Sequence, residues 1–365
     1  MFGSFACRVL TLAGAVLFLS AGSAVACAIC LSAVDTTPGQ RLESSDLAVL
    51  AAASEDGKWR ILVRLKGVDT LDPDVLSAEF PPAEAITEDH PELLVRDGLG
   101  HRWTSMGRFD RRHTDWLLAF SRLRFPEGFG PFANDAYRMS AWRERLALVA
   151  TRLKCGDPQA EELAHGELAR APYAAMRSLG ESLEASTLLE WIANEDIASR
   201  RSAYILLLGA AGDDSTAAWV EERLDASGRT GDSTDLPALI AADLELRGPT
   251  RLDWLEKRYL LNAASSVVEI EAALKGLGVH GNADSTIPRA RVVETYRRFA
   301  LKRPAMAGFV ATDLERWEEW DATAEFVTLL NAGTITDPGG ELAATSYVRN
   351  SPDKQASSRL GQLDD

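Results

Sequence analysis

The sequence predicts a mainly α-helical protein, a helical-repeat solenoid preceded by a small β-rich N-terminal domain. Three observations lead there. Alternating apolar runs joined by Asp-Gly turns fill residues 45–108. After Pro131 the apolar spacing becomes helical and stays so to about residue 351. Segments of about ten to sixteen residues, separated by short Gly/Asp/Asn/Ser/Pro connectors, cannot each bury a face alone and must stack in pairs.

The chain opens with Arg8 as the only charge before the uncharged residues 9–26, followed by small residues at Ala24 and Ala26. That order is a secretory signal peptide over residues 1–26, with A-V-A as the cleavage site and Cys27 first in the mature chain. No later run is long and apolar enough to span a bilayer, so no membrane span is expected after cleavage, and the protein is expected in the periplasm or outside the cell. A cysteine directly after the cut also permits lipid attachment through Cys27, although that signal ordinarily carries a larger aliphatic residue where Ala24 stands.

Cys27 and Cys30 form a C-x-x-C pair, and Cys155 is the third cysteine of the mature chain. In an oxidising compartment the pair reads as a disulfide or as a redox dithiol. Thioredoxin-like chemistry wants such a pair at a helix N-terminus beside a βαβ unit, and here it stands at the mature terminus with no strand before it. Haem attachment fails because Leu31 replaces the required histidine, and a zinc site lacks a second cysteine pair.

The formal charge is -15, and loss of Arg8 makes it -16. Such an excess repels phosphate backbones and argues against nucleic-acid binding. About 340 mature residues exceed one comfortable core, so more than one unit or an elongated array is expected.

Within residues 27–130, "DLAVLAAA" and "WRILVRLKG" flank Asp56-Gly57 as a β-hairpin, with Trp59, Ile61, Val63 and Leu65 on one face by the period of two. "PELLVRD" and "HRWTSMG" form a second pair, and "DWLLAFSRLRF" fits a helix or a strand equally. Within residues 131–351, Asp157 and Pro158 mark a helix start by their cap and first-turn preferences. "RRSAYILLLGAAGDDSTAAWVEERL" and "VVEIEAALKGLGVHGNADSTIPRARVVETYRRFAL" share one grammar of helix, glycine stop, polar turn and second helix. A third pass runs from "MAGFVATDLERW" into "EEWDATAEFVTLL". Residues 352–365 read as a disordered tail.

The helix, Gly-Asp turn, helix arrangement over residues 135–330 resembles HEAT-type repeats. Together with the A-C-x-x-C start, "SSDLAVLA", "LVRLKG" and "AYILLLGAAG", the chain looks like a group of exported bacterial HEAT-repeat-like proteins of uncharacterised function, which supplies no catalytic residue to carry over. The cysteine-led β segment is also similar to the netrin-like module of tissue inhibitors of metalloproteinases, but the partner cysteines that staple that barrel are missing here.

Chemistry-bearing residues are sparse. The densest group is "HRWTSMGRFDRRHTDW", where His101, Asp110, His113 and Asp115 could form a metal or acid-base site; four arginines intervene, and their charge raises the cost of holding a cation. "GDDS" and "NADST" carry acidic side chains where helix caps are needed. Trp317 and Trp320, among Glu315, Glu318, Glu319 and Asp321, fit an inter-helix seam better than a ligand site. No G-x-S-x-G elbow, phosphate loop or EF-hand loop is present, so no catalytic residue, metal or cofactor is expected. The expectation is an exported, non-enzymatic binding or scaffold protein with a protein or peptide partner in the cell envelope. A thiol-disulfide or redox-sensing role for Cys27 and Cys30 is the alternative, and a hydrolase within residues 101–115 comes third.

Overall fold

The computed structural model describes Ile29 and residues 36–67, 72–82, 86–98, 102–123, 135–194, 200–282 and 285–360. Cys27, Cys30 and His101 lie outside them. The protein is mainly helical, with a small four-stranded antiparallel sheet near its N-terminus.

Helix α1 (Pro38–Ser44) precedes the sheet and is opened by a capping box, in which Thr37 and Gln40 satisfy each other's backbone amides. Strands β1 (Ser45–Ala53), β2 (Trp59–Lys66), β3 (Glu92–Asp97) and β4 (Trp103–Arg108) lie in the order β2-β1-β3-β4. Both expected hairpin pairs are present. The expected single apolar face of β2 is not. Leu50 lies opposite Val63 and Ala51 opposite Ile61, so Leu62 is an extra residue that shifts the register. A bulge turns the following side chains over. Trp59 and Ile61 therefore join Leu47, Val49, Leu94 and Trp103 on one side, while Val63 and Leu65 join the larger core on the other. Helix α2 (Pro73–Glu79) covers the first side through the fully buried Leu76.

Residues 114–122, ambiguous by pattern, form helix α3 (Thr114–Arg122), which buries Trp116, Leu117 and Phe120. Then come α4 (Asp135–Ala150), α5 (Pro158–Arg170), α6 (Tyr173–Gly180), α7 (Ala185–Ile192), α8 (Arg201–Ala211) and α9 (Asp214–Thr230). Asp157 caps α5 and Asp213 caps α9, each through two backbone amides, as the sequence suggests for both turns. Helix α10 (Leu236–Arg247) has no amphipathic stripe, since Leu236 and residues 238–244 are all buried, and that hides it from periodicity. The chain continues through α11 (Leu252–Leu255), α12 (Val267–Gly278), α13 (Arg289–Lys302), a 3-10 segment (Pro304–Val310), α14 (Ala311–Arg316), α15 (Thr323–Asn331), α16 (Pro338–Asn350) and α17 (Lys354–Ser358).

The packing is serial. Helix α4 lies on α6, α6 on α8, α8 on α10 and α10 on α12, while α5 packs on α4, α7 on α8 and α9 on α10. The close approach of the 3-10 segment to α16 requires Gly308, because a Cβ there would run into the Gly340 backbone. One apolar core runs from Ala48, Leu50 and Val95 of the sheet through α5, α8 and α10 to Tyr347 of α16, so the sheet and the array share an interior. Among the described residues no helix is long and apolar enough to cross a membrane.

Candidate functional site

Polar side chains gather at a half-buried thiol and at an apolar cleft. The first contains part of the group singled out in the sequence. Asp110 caps the 3-10 turn Arg111–His113, accepting from the Arg112 amide at 2.9 Å, and so fixes His113 pointing inward with 3% exposure. The fold then brings up what the sequence keeps 42 residues away: Cys155 Sγ lies 4.0 Å from His113 Nε2. Asp157 Oδ2 is 3.5 Å from the same nitrogen, and Arg152 Nε donates to His113 Nδ1 at 3.0 Å. Arg112 Nε faces the other ring nitrogen, Nε2, at 3.3 Å, so an arginine donor stands at each nitrogen of a ring that, when neutral, accepts at only one.

Cysteine, histidine and aspartate in one cluster suggest an activated nucleophile, but the electrostatics run the other way. Burial pushes the Cys155 thiol up, and burial draws His113 down against the opposing pull of Asp157, with the Arg152 and Arg112 charges adding to the fall. A nucleophilic thiolate needs the reverse pair of shifts. Asp157 is also largely engaged: Oδ1 accepts from the Gln159 and Ala160 amides and Oδ2 from the Asp110 amide at 2.8 Å. The cluster joins the sheet end of the molecule to the start of α5 as a hydrogen-bonded tie.

Asp115 stands apart from it. It is exposed in the first turn of α3, where with Arg111 and Arg112 it borders a cavity of roughly 390 Å³ floored by Leu50, Leu62 and Val63. The structure thus unites Asp110 and His113 and separates Asp115. Among the described residues no group of three or more His, Cys, Asp or Glu side chains is placed to hold a metal ion.

The second place was not legible in the sequence. A cleft of roughly 320 Å³ opens between the C-terminal turn of α12 and α14. Leu274, Val279 and Phe309 supply its apolar wall, and Tyr296 of α13 lies at its base with 1% exposure. The Tyr296 hydroxyl is 2.9 Å from Asp313 Oδ2 and 3.2 Å from the Leu274 carbonyl, and it has one proton to give. Arg316 pairs with Asp313 Oδ1. Burial pushes the Asp313 carboxyl up, with Arg316 and the Tyr296 hydrogen bond pulling it back. Glycine is required at 278, since a Cβ there would sit 2.8 Å from Asp313 Oδ2 and 2.9 Å from the Tyr296 oxygen. Glu271 and Lys275 stand at the mouth.

The two tryptophans weighed in the sequence fill seams. Trp317 stacks on Tyr296 at 5.7 Å between ring centres, and Trp320 stacks on Tyr347 at 5.1 Å. Asp284 of the "NADST" stretch lies outside the described residues, and α13 begins after Pro288 with no side-chain cap. Asn282 instead accepts from the Trp317 indole at 3.1 Å, and Ser285 lies 2.7 Å from His280 Nδ1. His280 is fully buried with its other nitrogen 3.0 Å from the Ala241 carbonyl, so it pins this turn to α10. Asp313 carries no local sequence signal because Tyr296, its partner, lies 17 residues upstream on another helix.

No protein-family model, curated protein or solved structure matches the chain.

Proposed function

We propose that this is an exported binding protein whose helical array works as a HEAT-like solenoid, holding a protein or peptide partner of the cell envelope at the α12–α14 cleft. The observation that carries it is the cleft itself: an apolar wall with an inward-facing, partly desolvated carboxylate, kept open by a glycine. Pockets of this kind, mostly apolar with a few converging polar groups, are where ligands bind. The serial stacking of α4, α6, α8, α10 and α12 supports the solenoid, because repeat arrays contact chiefly their neighbours and offer extended surfaces to partners. The Cys155 cluster favours no hydrolase or thiol chemistry, since its shifts oppose a thiolate. In this reading residues 1–26 are removed and the mature chain begins at Cys27.

A photo-crosslinking residue at Lys275, on the mouth of the cleft, tests the reading in the source cell against the same residue at the exposed Glu222 of α9. The expected result is a discrete protein adduct from position 275 that is absent at 222 and lost when Gly278→Val fills the cleft. Equal labelling at both positions overturns it. Intact mass of the envelope-derived chain checks the export component, with a mass beginning at Cys27 expected.

A further inference from the structure

We infer that the α12–α14 cleft receives a basic side chain, a lysine or arginine of the partner, with its aliphatic stem along the apolar wall and its cation at Asp313; this rests on the binding reading above. Size, open acceptors and position in the fold point the same way, and the local charge balance is even.

The size comes first. A cleft of roughly 320 Å³ lies at the small end of ligand pockets, enough for one long side chain. The wall of Leu274, Val279 and Phe309 suits methylene groups, which lysine and arginine bury while keeping their charged end on a polar partner.

The acceptors come second. Asp313 spends one lone pair of Oδ2 on Tyr296 and one of Oδ1 on Arg316, while a carboxylate offers about four acceptor positions. Its side chain is 25% exposed although it lines the cleft, so the remaining positions are open to a ligand that brings hydrogen-bond donors.

Third is the balance of charge with depth. Glu271 and Asp313 face Lys275 and Arg316, so the formal count is even. The cations are the outer members: Lys275 is exposed, and Arg316 is 38% exposed with its guanidinium already on Asp313. Arg316 already offsets part of the Asp313 charge, so what the cleft offers an entering cation is open carboxylate positions and no net local field.

Fourth, the cleft lies at the C-terminal turn of α12, which ends at Gly278. The negative end of the α12 dipole favours a cation there, against the positive end of the short α14, whose first turn carries Asp313. The chain's net charge of -15 adds long-range attraction for a basic partner.

The test uses the mature full-length protein and titration calorimetry with N-acetyl-arginine methylamide, its neutral isostere N-acetyl-citrulline methylamide, and agmatine. The expected result is a preference for arginine over citrulline of about tenfold, as loss of one charge-assisted contact predicts. That preference should vanish in Asp313→Asn, whose amide oxygen can still accept from Tyr296. Glu271→Gln at the mouth, a variant with no buried partner to lose, should reduce it by about threefold and keeps the question answerable if Asp313→Asn fails to fold. Equal binding of arginine and citrulline, binding of neither, or a preference that survives Asp313→Asn overturns the inference. Agmatine binding far tighter than the capped arginine overturns the peptide side chain in favour of a free small cation. Because the crosslink at Lys275 is scored separately, a cleft that binds a partner without charge preference fails this inference and leaves the binding reading standing.

Discussion

The two ends of the helical array are held by opposite means. Where α1 meets α4 and α5, four charged side chains are buried together: Glu43 pairs with Arg145 and Arg170, and both arginines pair with Glu167. Arg145 and Arg170 are each 1% exposed and Glu167 is 0% exposed. Each guanidinium also lies over an aromatic ring, Arg145 over Phe120 at 4.4 Å and Arg170 over Trp142 at 5.2 Å. At the far end, from α13 to α16, the seams are aromatic: Tyr296 on Trp317, Trp320 on Tyr347, and Phe326 against Tyr347. Deleting a side chain from a buried ionic cluster strands its partners in a medium that cannot solvate them, whereas a proton on Glu43 leaves both of its oxygens in place. An aromatic seam loses contact area and leaves a cavity, and its neighbours can partly relax. The N-terminal junction is therefore all-or-none, and the C-terminal seam is graded.

The sharpest way to break the comparison is Glu167→Leu. It removes one of the two carboxylates that both guanidinium groups share and should cost about 4 kcal/mol in urea unfolding. Replacing all four by apolar residues, Glu43→Leu, Arg145→Met, Glu167→Leu and Arg170→Met, should restore stability to within about 1 kcal/mol of the parent. A quadruple variant no better than the single one would show that the junction needs its charges for more than mutual compensation.

Trp317→Ala comes next, with an expected loss of about 3 kcal/mol from the cavity beside Tyr296. Unlike the ionic junction, this loss should not be recovered by any second substitution in the same seam that leaves the volume empty.

The third expectation concerns pH. Burial raises the Glu43 carboxyl from 4.5 to about 7, against the pull of Arg145 and Arg170. The folded chain then holds this proton more tightly than the unfolded chain between those two values. Stability from this group is complete below pH 4.5 and is lost as pH rises toward 7. The fall should be on the order of 2 kcal/mol, and urea midpoints across the window should flatten in Glu43→Gln. A midpoint that instead rises with pH, equally in both proteins, would place the governing titration elsewhere.

The smallest effect belongs to Cys155→Ser, which should change stability by only about 0.5 kcal/mol and leave the Lys275 crosslink intact. Loss of the adduct in this variant would move the thiol from a tie to a participant.

How far the sequence reaches can be judged from particular elements. Asp157-Pro158 and Asp213 announce their helices because capping is a local transaction between a side chain and amides two or three residues away. The hairpins are equally local. Residues 114–122 resist assignment because a short apolar run fits either period, and burial of Trp116 and Phe120 against the array decides for a helix. The bulge at Leu62 is silent in the pattern, since an inserted residue looks like one more apolar position until its partner strand is known. Half of the residue group chosen for chemistry, Asp110 and His113, does come together, yet the neighbours that set its character are Arg152, Cys155 and Asp157.

By itself the sequence determined the class of architecture, a small antiparallel sheet followed by short stacked helices, because periodicity, caps and turn residues act within a few positions. The tertiary structure alone decided the cleft and the buried charges. Tyr296 and Asp313 meet across two helices, and Glu43 reaches Arg170 across 127 residues. A carboxylate's acidity and a cavity's shape depend on what packs around them from distant parts of the chain, and no local pattern carries that information.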